Sequence, residues 1–284
     1  MPVPPLAIFL SAGRCGTQWL AAGLRERYPR IRVEHEPLGP LYRPRRYFRR
    51  YADPAAILEV PEVRRHVARL AHTGHYVETG WPVFAALPLF AERFDDRLRV
   101  VHLTRHPVPS ALSHLAHSSY AGSGRDDAYT RLATLAPTDP AVFQPEYAQR
   151  WNELTPYEKC LFWWTEVSLF GLEFERRYPR IPFLRVKSED LLAGDRGTLE
   201  ALLAFLGVPW DERWIGRTER IVDRWHHHTE REVDPLEVRR HPKAVDAARR
   251  LGYDAAAIDL AGLEGRYRGA PDPGEDHFGR YVTG

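Results

Sequence analysis

The segment Gly13-Arg-Cys-Gly-Thr-Gln18 has the residue types and order that point most directly to chemistry. An apolar run from Leu6 stops at this Gly-rich turn, and a helical pattern starts at once with Leu20, Leu24 and Tyr28. That order places free backbone N–H groups at a helix N-terminus, where phosphate binds well. Gly16 permits close backbone approach, Thr17 adds a hydroxyl, and Arg14 brings a fixed positive charge. The Gly-Lys-Ser/Thr that closes a Walker A loop, with its Mg²⁺-binding hydroxyl, is missing. The loop therefore reads as a cradle for a phosphate-bearing donor that needs no metal. The alternative is an ordinary βα turn that happens to contain glycines.

A second element changes that balance. Val100-Val-His-Leu-Thr-Arg105-His-Pro-Val-Pro-Ser-Ala-Leu-Ser113 reads as a strand, an Arg, and a helix start. Pro107 and Pro109 fall in the first turn, where a missing N–H costs little. Arg105 then sits at the carboxyl end of the strand, and Ser113 lies on the same helix face as Ser110. An Arg and a hydroxyl so placed can grip a second phosphate from two sides. Ligands of parallel α/β sheets bind at this edge of the sheet.

The elements that must position these groups alternate along the chain. Five short β-favouring runs stand out: Leu6–Ser11, Ile31–His35, His75–Thr79, Arg99–Thr104 and Pro182–Lys187. Helical spacing fills the segments between, among them Gly16–Tyr28, Val83–Phe94, Pro107–His117 and Pro156–Tyr178. The expected fold is α/β, a mostly parallel five-stranded sheet flanked by helices on both faces. The whole of 1–284 reads as one domain. Residues 118–154, with turn signals at Gly122-Ser-Gly, Asp139-Pro and Gln144-Pro, look like a substrate-binding insertion. The Gly-, Pro- and Asp-rich tail from about 252 is expected to wrap the surface. The alternative is that both stretches are merely flexible chain.

Composition narrows the class. At 284 residues, 44% hydrophobic and 27% charged, the chain is globular and large enough for a sizeable core. A net charge of +2 does not argue for a nucleic-acid partner. Lysine occurs only at 159, 187 and 243, so Arg carries nearly all the positive charge and should serve wherever phosphate is held. Two cysteines make no disulfide framework, which favours a reducing, cytoplasmic setting. The first apolar run is too short for a signal peptide, and no stretch is long enough to span a membrane. Nothing in the sequence sets the oligomeric state, and a homodimer is compatible with it.

Together, Arg14-Cys-Gly-Thr-Gln-Trp19 and the Arg105/Ser113 pair resemble the PAPS-dependent sulfotransferases, in the branch that includes Golgi-type and bacterial members. A looser likeness is Arg185-Val-Lys-Ser-Glu-Asp-Leu191 followed by Leu202-Leu-Ala-Phe-Leu-Gly-Val-Pro209, so that it spans roughly residues 6 to 210. The resemblance implies a P-loop-NTPase-like fold. It also implies sulfuryl transfer from 3′-phosphoadenosine-5′-phosphosulfate (PAPS) to a hydroxyl, releasing adenosine 3′,5′-bisphosphate (PAP), with no metal. It assigns Arg14, Cys15, Gly16, Thr17, Gln18 and Trp19 to the 5′-phosphosulfate, and Arg105 and Ser113 to the 3′-phosphate. Cys15 and Gln18 depart from the family's commoner Ser and Thr. Arg14 stands where cytosolic members carry Lys, and no match to their C-terminal Arg-Lys-Gly loop is found.

Sulfuryl transfer to a hydroxyl needs a base at the acceptor and positive charge at the leaving oxygen. Arg14 suits the second role. For the first, Val33-Glu-His-Glu-Pro37 follows Pro29-Arg-Ile-Arg32, a lead-in after which the tyrosine-protein and carbohydrate branches place a Glu base. Glu36 is the expected base, with His35 and Glu34 behind it. Strand alternation puts Glu34 and Glu36 on one face and His35 on the other, so Glu34 substitutes if the strand ends early. Glu36, His35 and Trp81 are expected to meet the acceptor, a sugar or small-metabolite hydroxyl. Alternatives are a P-loop kinase-like enzyme and a non-catalytic nucleotide-binding protein of the same fold. Trp225-His-His-His228 lacks partners at ligand spacing and reads as a solvated run or substrate edge rather than a metal site. His102 is expected in the sheet, His106 near the donor, and Trp163 and Trp164 in the core.

Overall fold

The computed structural model describes residues 3–120, 132–218, 229 and 231–267. The Trp225–His228 tract, residues 121–131 of the insertion and the tail beyond 267 lie outside the described residues.

Strand β1 (Leu6–Leu10) has five residues with no exposure, the mark of a strand covered on both faces. Burying each such side chain contributes about 1.5–3 kcal/mol. Strands β2 (Arg32–Glu34), β3 (Tyr76–Glu78), β4 (Leu98–Thr104) and β5 (Phe183–Lys187) pair with it in the order β2-β3-β1-β4-β5, every pairing parallel. The sheet is therefore the five-stranded parallel one that the alternation of apolar runs leads to expect. Side chains along β1 separate into two cores. Leu6, Ile8 and Leu10 face one, and Ala7 and Phe9 the other.

Helices α1 (Thr17–Arg27), α2 (Pro61–Ala71), α3 (Pro107–Ala116), α4 (Pro156–Arg177), α5 (Arg196–Leu206), α6 (Pro242–Arg250) and α7 (Leu260–Tyr267) cover the sheet. Leu20 and Leu24 of α1 pack with Leu199, Leu202 and Leu206 of α5 on the Phe9 side. Helices α2, α3, α4 and α6 supply the opposite core. The expected helix over 83–94 divides into a 3₁₀ turn, Pro82–Ala86, and a short helix, Leu87–Arg93. Pro88 near the start of the second piece has no N–H to continue the first. Helix α4 begins with a capping box: Glu158 N–H donates to Thr155 Oγ1 at 3.2 Å, and Thr155 N–H to Glu158 Oε2 at 2.8 Å.

The order of strands makes the chain leave β1 toward β2 and β3, then cross back to β4. The carboxyl ends of β1, β3 and β4 thus frame the crevice where such sheets bind ligands. In the described part of the insertion, Phe143 N–H donates to Glu166 Oε2 of α4 at 2.8 Å, and Arg45 pairs with Asp139 at 2.9 Å. Two described residues after position 252 make internal contacts. Tyr253 Oη lies 3.1 Å from Thr104 Oγ1 and donates to Glu189 Oε2 at 3.0 Å, and Tyr267 is only 3% exposed.

Candidate functional site

The β1–α1 loop is held open by having its carbonyls tied back. Ala12 O accepts from the Trp163 indole N–H at 2.7 Å and from His114 Nε2 at 2.9 Å. Gly13 O accepts from the Cys15 thiol at 3.0 Å, and Arg14 O from Arg105 Nη1 at 2.9 Å. In a trans peptide the N–H points opposite to the C=O, and no peptide here is cis. The N–H groups of Arg14 and Cys15 are therefore turned to the other side, while that of Gly13 donates to Ser11 Oγ at 3.1 Å. Left-handed φ values at Gly13 (86°), Arg14 (59°) and Gly16 (81°) curl the loop, a backbone geometry of the kind that can turn N–H groups toward an anion. Gly13 is required twice over, since a Cβ there would also lie 3.3 Å from His114 and 3.4 Å from Trp81. As N-cap of α1, Gly16 offers no side-chain acceptor to the N–H groups of the first turn, Thr17, Gln18 and Trp19.

The side chains of this loop divide by role. Cys15 points inward. Burial pushes its thiol up to about 12, against the opposing charges of Arg105 and Arg14, so it stays protonated and braces Gly13. The Trp19 ring meets Trp214 edge to face at 5.7 Å, leaving its backbone N–H to the cradle. Thr17 is buried and its carbonyl accepts from Thr79 Oγ1 at 3.1 Å, which ties α1 to the end of β3. Gln18 is half-buried at the same turn.

The two sequence elements meet directly. Arg14 Nε donates to Ser113 Oγ at 3.0 Å across 99 residues of chain. Arg105 leaves the end of β4 and donates to Arg14 O, and its Nη2 donates to Tyr267 Oη at 2.8 Å. Ser110 Oγ, one turn before Ser113, is buried without a hydrogen-bond partner. His106 is spent on structure: its Nδ1 caps α3 by accepting from Val108 N–H at 3.3 Å, and Nε2 donates to Asp254 O at 2.9 Å.

At the neighbouring edge, β2 ends at Glu34 and Glu36 takes a left-handed φ of 47°. That turn brings His35 and Glu36 together, with Nε2 and Oε1 3.7 Å apart, instead of on opposite faces. The Glu36 side chain leans on Gly80, where an added Cβ would lie 2.7 Å from Glu36 Cγ and 3.1 Å from Glu36 N. Burial pushes the Glu36 carboxyl up to about 7; a hydrogen bond from the Trp81 N–H and the Arg14 charge pull the other way. A carboxylate tuned near neutrality is the kind a general base requires. His35 Nδ1 donates to Thr79 O, and burial lowers the imidazole to about 4, so it is neutral. Nε2 is then a bare acceptor facing Glu36.

The strand does end early, at Glu34, whose carboxylate is engaged by three donors. It accepts from Arg32 Nε at 2.9 Å, Arg69 at 3.0 Å and the Tyr76 hydroxyl at 2.7 Å. Burial raises its carboxyl, but these donors outweigh that and hold it below the ordinary value. Behind it, Glu78 is fully buried and accepts from Tyr42 at 2.9 Å and Tyr76 at 3.0 Å, with His66 Nε2 3.3 Å away. Trp81 stands at the loop, its ring against Gly13 and edge-to-face with Trp163 at 5.2 Å.

Four residues at the site escaped the sequence reading. His114 is one; burial lowers it to about 3, so it is neutral when its Nε2–H meets Ala12 O. Trp163 and Trp164 are core residues as expected, yet their indole N–H groups hold Ala12 O and, at 2.9 Å, Arg105 O. A buried indole needs a partner for its N–H, which is the signal that two adjacent Trp residues on one helix carried. Tyr267 gave no signal. His102 lies in the sheet, buried against Gly171, as expected.

No family model matches the sequence, and no curated protein matches it. Solved structures do. A sulfotransferase domain from the curacin biosynthetic pathway covers 89% of this chain and 99% of its own at 16% identity, with a TM-score of 0.49. The sulfotransferase domain of the Synechococcus PCC 7002 olefin synthase covers 89% and 97% at 16% identity, with a TM-score of 0.44. A sulfotransferase from Alicyclobacillus acidocaldarius covers 92% and 99% at 16% identity, with a TM-score of 0.48. At such values the assignment of the site rests on its own geometry. Among the described residues no helix is long and apolar enough to cross a membrane, and no group of three His, Cys, Asp or Glu side chains is placed to hold a metal ion.

Proposed function

We propose that this protein is a PAPS-dependent sulfotransferase acting on a hydroxyl of a sugar or small metabolite. The reading is carried by the junction of the two phosphate elements. Arg14 bonded to Ser113, and Arg105 bonded to the Arg14 carbonyl, make one continuous cationic site with a backbone nest at one end. A donor with two separate phosphate groups suits that site better than a single triphosphate chain does. PAPS supplies a sulfuryl group on a good leaving group, PAP. Cradle N–H groups of residues 14–19 and the Arg14 guanidinium would hold the 5′-phosphosulfate, with Arg105, Ser113 and the orphaned Ser110 hydroxyl at the 3′-phosphate. Arg14 then neutralises the charge that develops on the leaving oxygen. Glu36 takes the acceptor's hydroxyl proton onto its carboxylate, beside His35 and the Trp81 ring. No step in this scheme asks for a metal. Cys15 and Cys160, both buried and neither in a disulfide, suit a reducing compartment such as the cytoplasm.

Titration with PAP by calorimetry tests the reading. Wild type is expected to bind, and Arg105→Ala to bind at least about 10-fold more weakly, as loss of a charge-assisted contact demands. No binding by wild type, or equal binding by the variant, refutes it. A P-loop kinase-like enzyme would instead require Mg²⁺ and ATP, and the loop lacks the Lys and the adjoining Ser/Thr for that.

A further inference from the structure

The Arg105 guanidinium is held by neutral acceptors only. Nη1 donates to the Arg14 carbonyl at 2.9 Å and Nη2 to the Tyr267 hydroxyl at 2.8 Å. Among the described residues no carboxylate forms an ion pair with it. That choice matters, because a carboxylate in either position would cancel the charge an anionic ligand needs, whereas a carbonyl and a phenol fix the fork and leave the charge intact. An unrestrained Arg side chain would lose rotamer freedom on binding an anion. Two restraints remove part of that loss beforehand.

Tyr267 is itself fixed. It is 3% exposed at the end of α7, its carbonyl accepts from Thr229 N–H at 2.8 Å, and the Arg266 guanidinium sits over its ring at 5.7 Å. Helix α7 rests on α3, the helix that carries Ser113. The hydroxyl is therefore presented from a helix packed on α3.

We propose that Tyr267 is a positioning residue of the donor site, holding the Arg105 fork so that the C-terminal helix α7 sets affinity for a bisphosphorylated nucleotide. This rests on the donor reading above and adds a determinant that neither the loop nor the Arg105/Ser113 pair contains. Tyr267 acts through Arg105, so the two must be coupled.

The test is a double-mutant cycle read by calorimetry with PAP, using wild type, Tyr267→Phe, Arg105→Ala and the double variant of the full chain. Phe keeps the buried ring and removes only the hydroxyl. Tyr267→Phe is expected to weaken PAP binding about 10-fold in the wild-type background and to add almost nothing in the Arg105→Ala background. A purely structural role for the ring would give an unchanged affinity, and an independent role would give effects that multiply in the double variant. Either result overturns the inference while the donor reading stands. Failure of wild type to bind PAP overturns the donor reading, and the inference with it.

Discussion

Replacing Glu36 by Gln is expected to cost activity and add stability, and the pH dependence of each effect follows from the structure. The carboxyl lies on Gly80 with its side chain one-quarter exposed, and burial raises it from 4.5 to about 7. At 1.36 kcal/mol for each pH unit between those values, ionising Glu36 in the folded protein costs at most roughly 3 kcal/mol. The raised value means that the folded state holds this proton more tightly than the unfolded chain. The resulting stability is fully present below pH 4.5 and is lost as pH rises through about 7. Gln does not titrate. The stability of Glu36→Gln relative to wild type should therefore climb by up to roughly 3 kcal/mol between pH 4 and pH 8. Denaturant unfolding at several pH values measures this, and the difference between the two proteins cancels other buried acids such as Glu166, which burial also raises to about 7. Turnover should fall by roughly 10²–10⁴, the usual worth of a general base. Wild-type activity should rise with pH through about 7 and level off, since only the ionised carboxylate accepts a proton. A stability difference flat from pH 4 to pH 8 would refute the burial argument. The expected gain with undiminished turnover would leave a buried acid at the site and move the base elsewhere.

Two further substitutions probe what holds the groups in place. Gly80→Ala would set a Cβ 2.7 Å from Glu36 Cγ and 3.1 Å from its backbone nitrogen, so Glu36, the proposed base, must move. Turnover should drop by about 10²-fold, as a displacement of order 1 Å would cause, while PAP still binds. Unaltered kinetics would show that Glu36 has slack the close contact denies. Trp163→Phe removes one of the two donors on Ala12 O and keeps an aromatic ring against Trp81. It should lower unfolding free energy by about 1 kcal/mol and raise the donor KM several-fold, read from melts and initial rates.

The central strands β1, β3 and β4 were legible because they are runs buried almost throughout, the edge strands β2 and β5 by their β-favouring residues, and the observed limits of all five fall within a residue or two of the apolar runs. Arg14, Ser113 and Arg105 were legible as a pair of elements because a strand followed at once by a helix start brings its loop to the carboxyl edge. Glu34 was not separable from Glu36 by alternation alone. What separates them is Arg69 and Tyr76, which lie 35 and 42 residues away in sequence; Tyr76 reaches Glu34 through the β2–β3 register and Arg69 from helix α2. The turn at Glu36 was equally hidden. Its positive φ depends on the close approach to Gly80, a contact between two strand ends that no local pattern encodes. Trp163 and Trp164 show a third limit: periodicity reports that a face is buried and says nothing of where its N–H groups point.

Cys15 and Gln18 are the positions where the loop departs from the pattern it resembles, and the tied-back carbonyls explain how one departure is absorbed. A side chain at 15 that points inward to Gly13 O has no part in the face offered to an anion. Ser or Cys there does the same work, donating to one carbonyl so that the Arg14 N–H turns outward. The thiol, raised to about 12 by burial, cannot ionise near neutrality and so brings no negative charge beside the cradle. The sulfur also belongs to the apolar core on the Phe9 side of the sheet, where a small hydrophobe packs better than a hydroxyl. What the cradle requires of residue 15 is thus a buried donor of the right reach. On the donor reading the charge for the ligand comes instead from Arg14, which donates to Ser113 Oγ, and from Arg105, which donates to the Arg14 carbonyl and the Tyr267 hydroxyl.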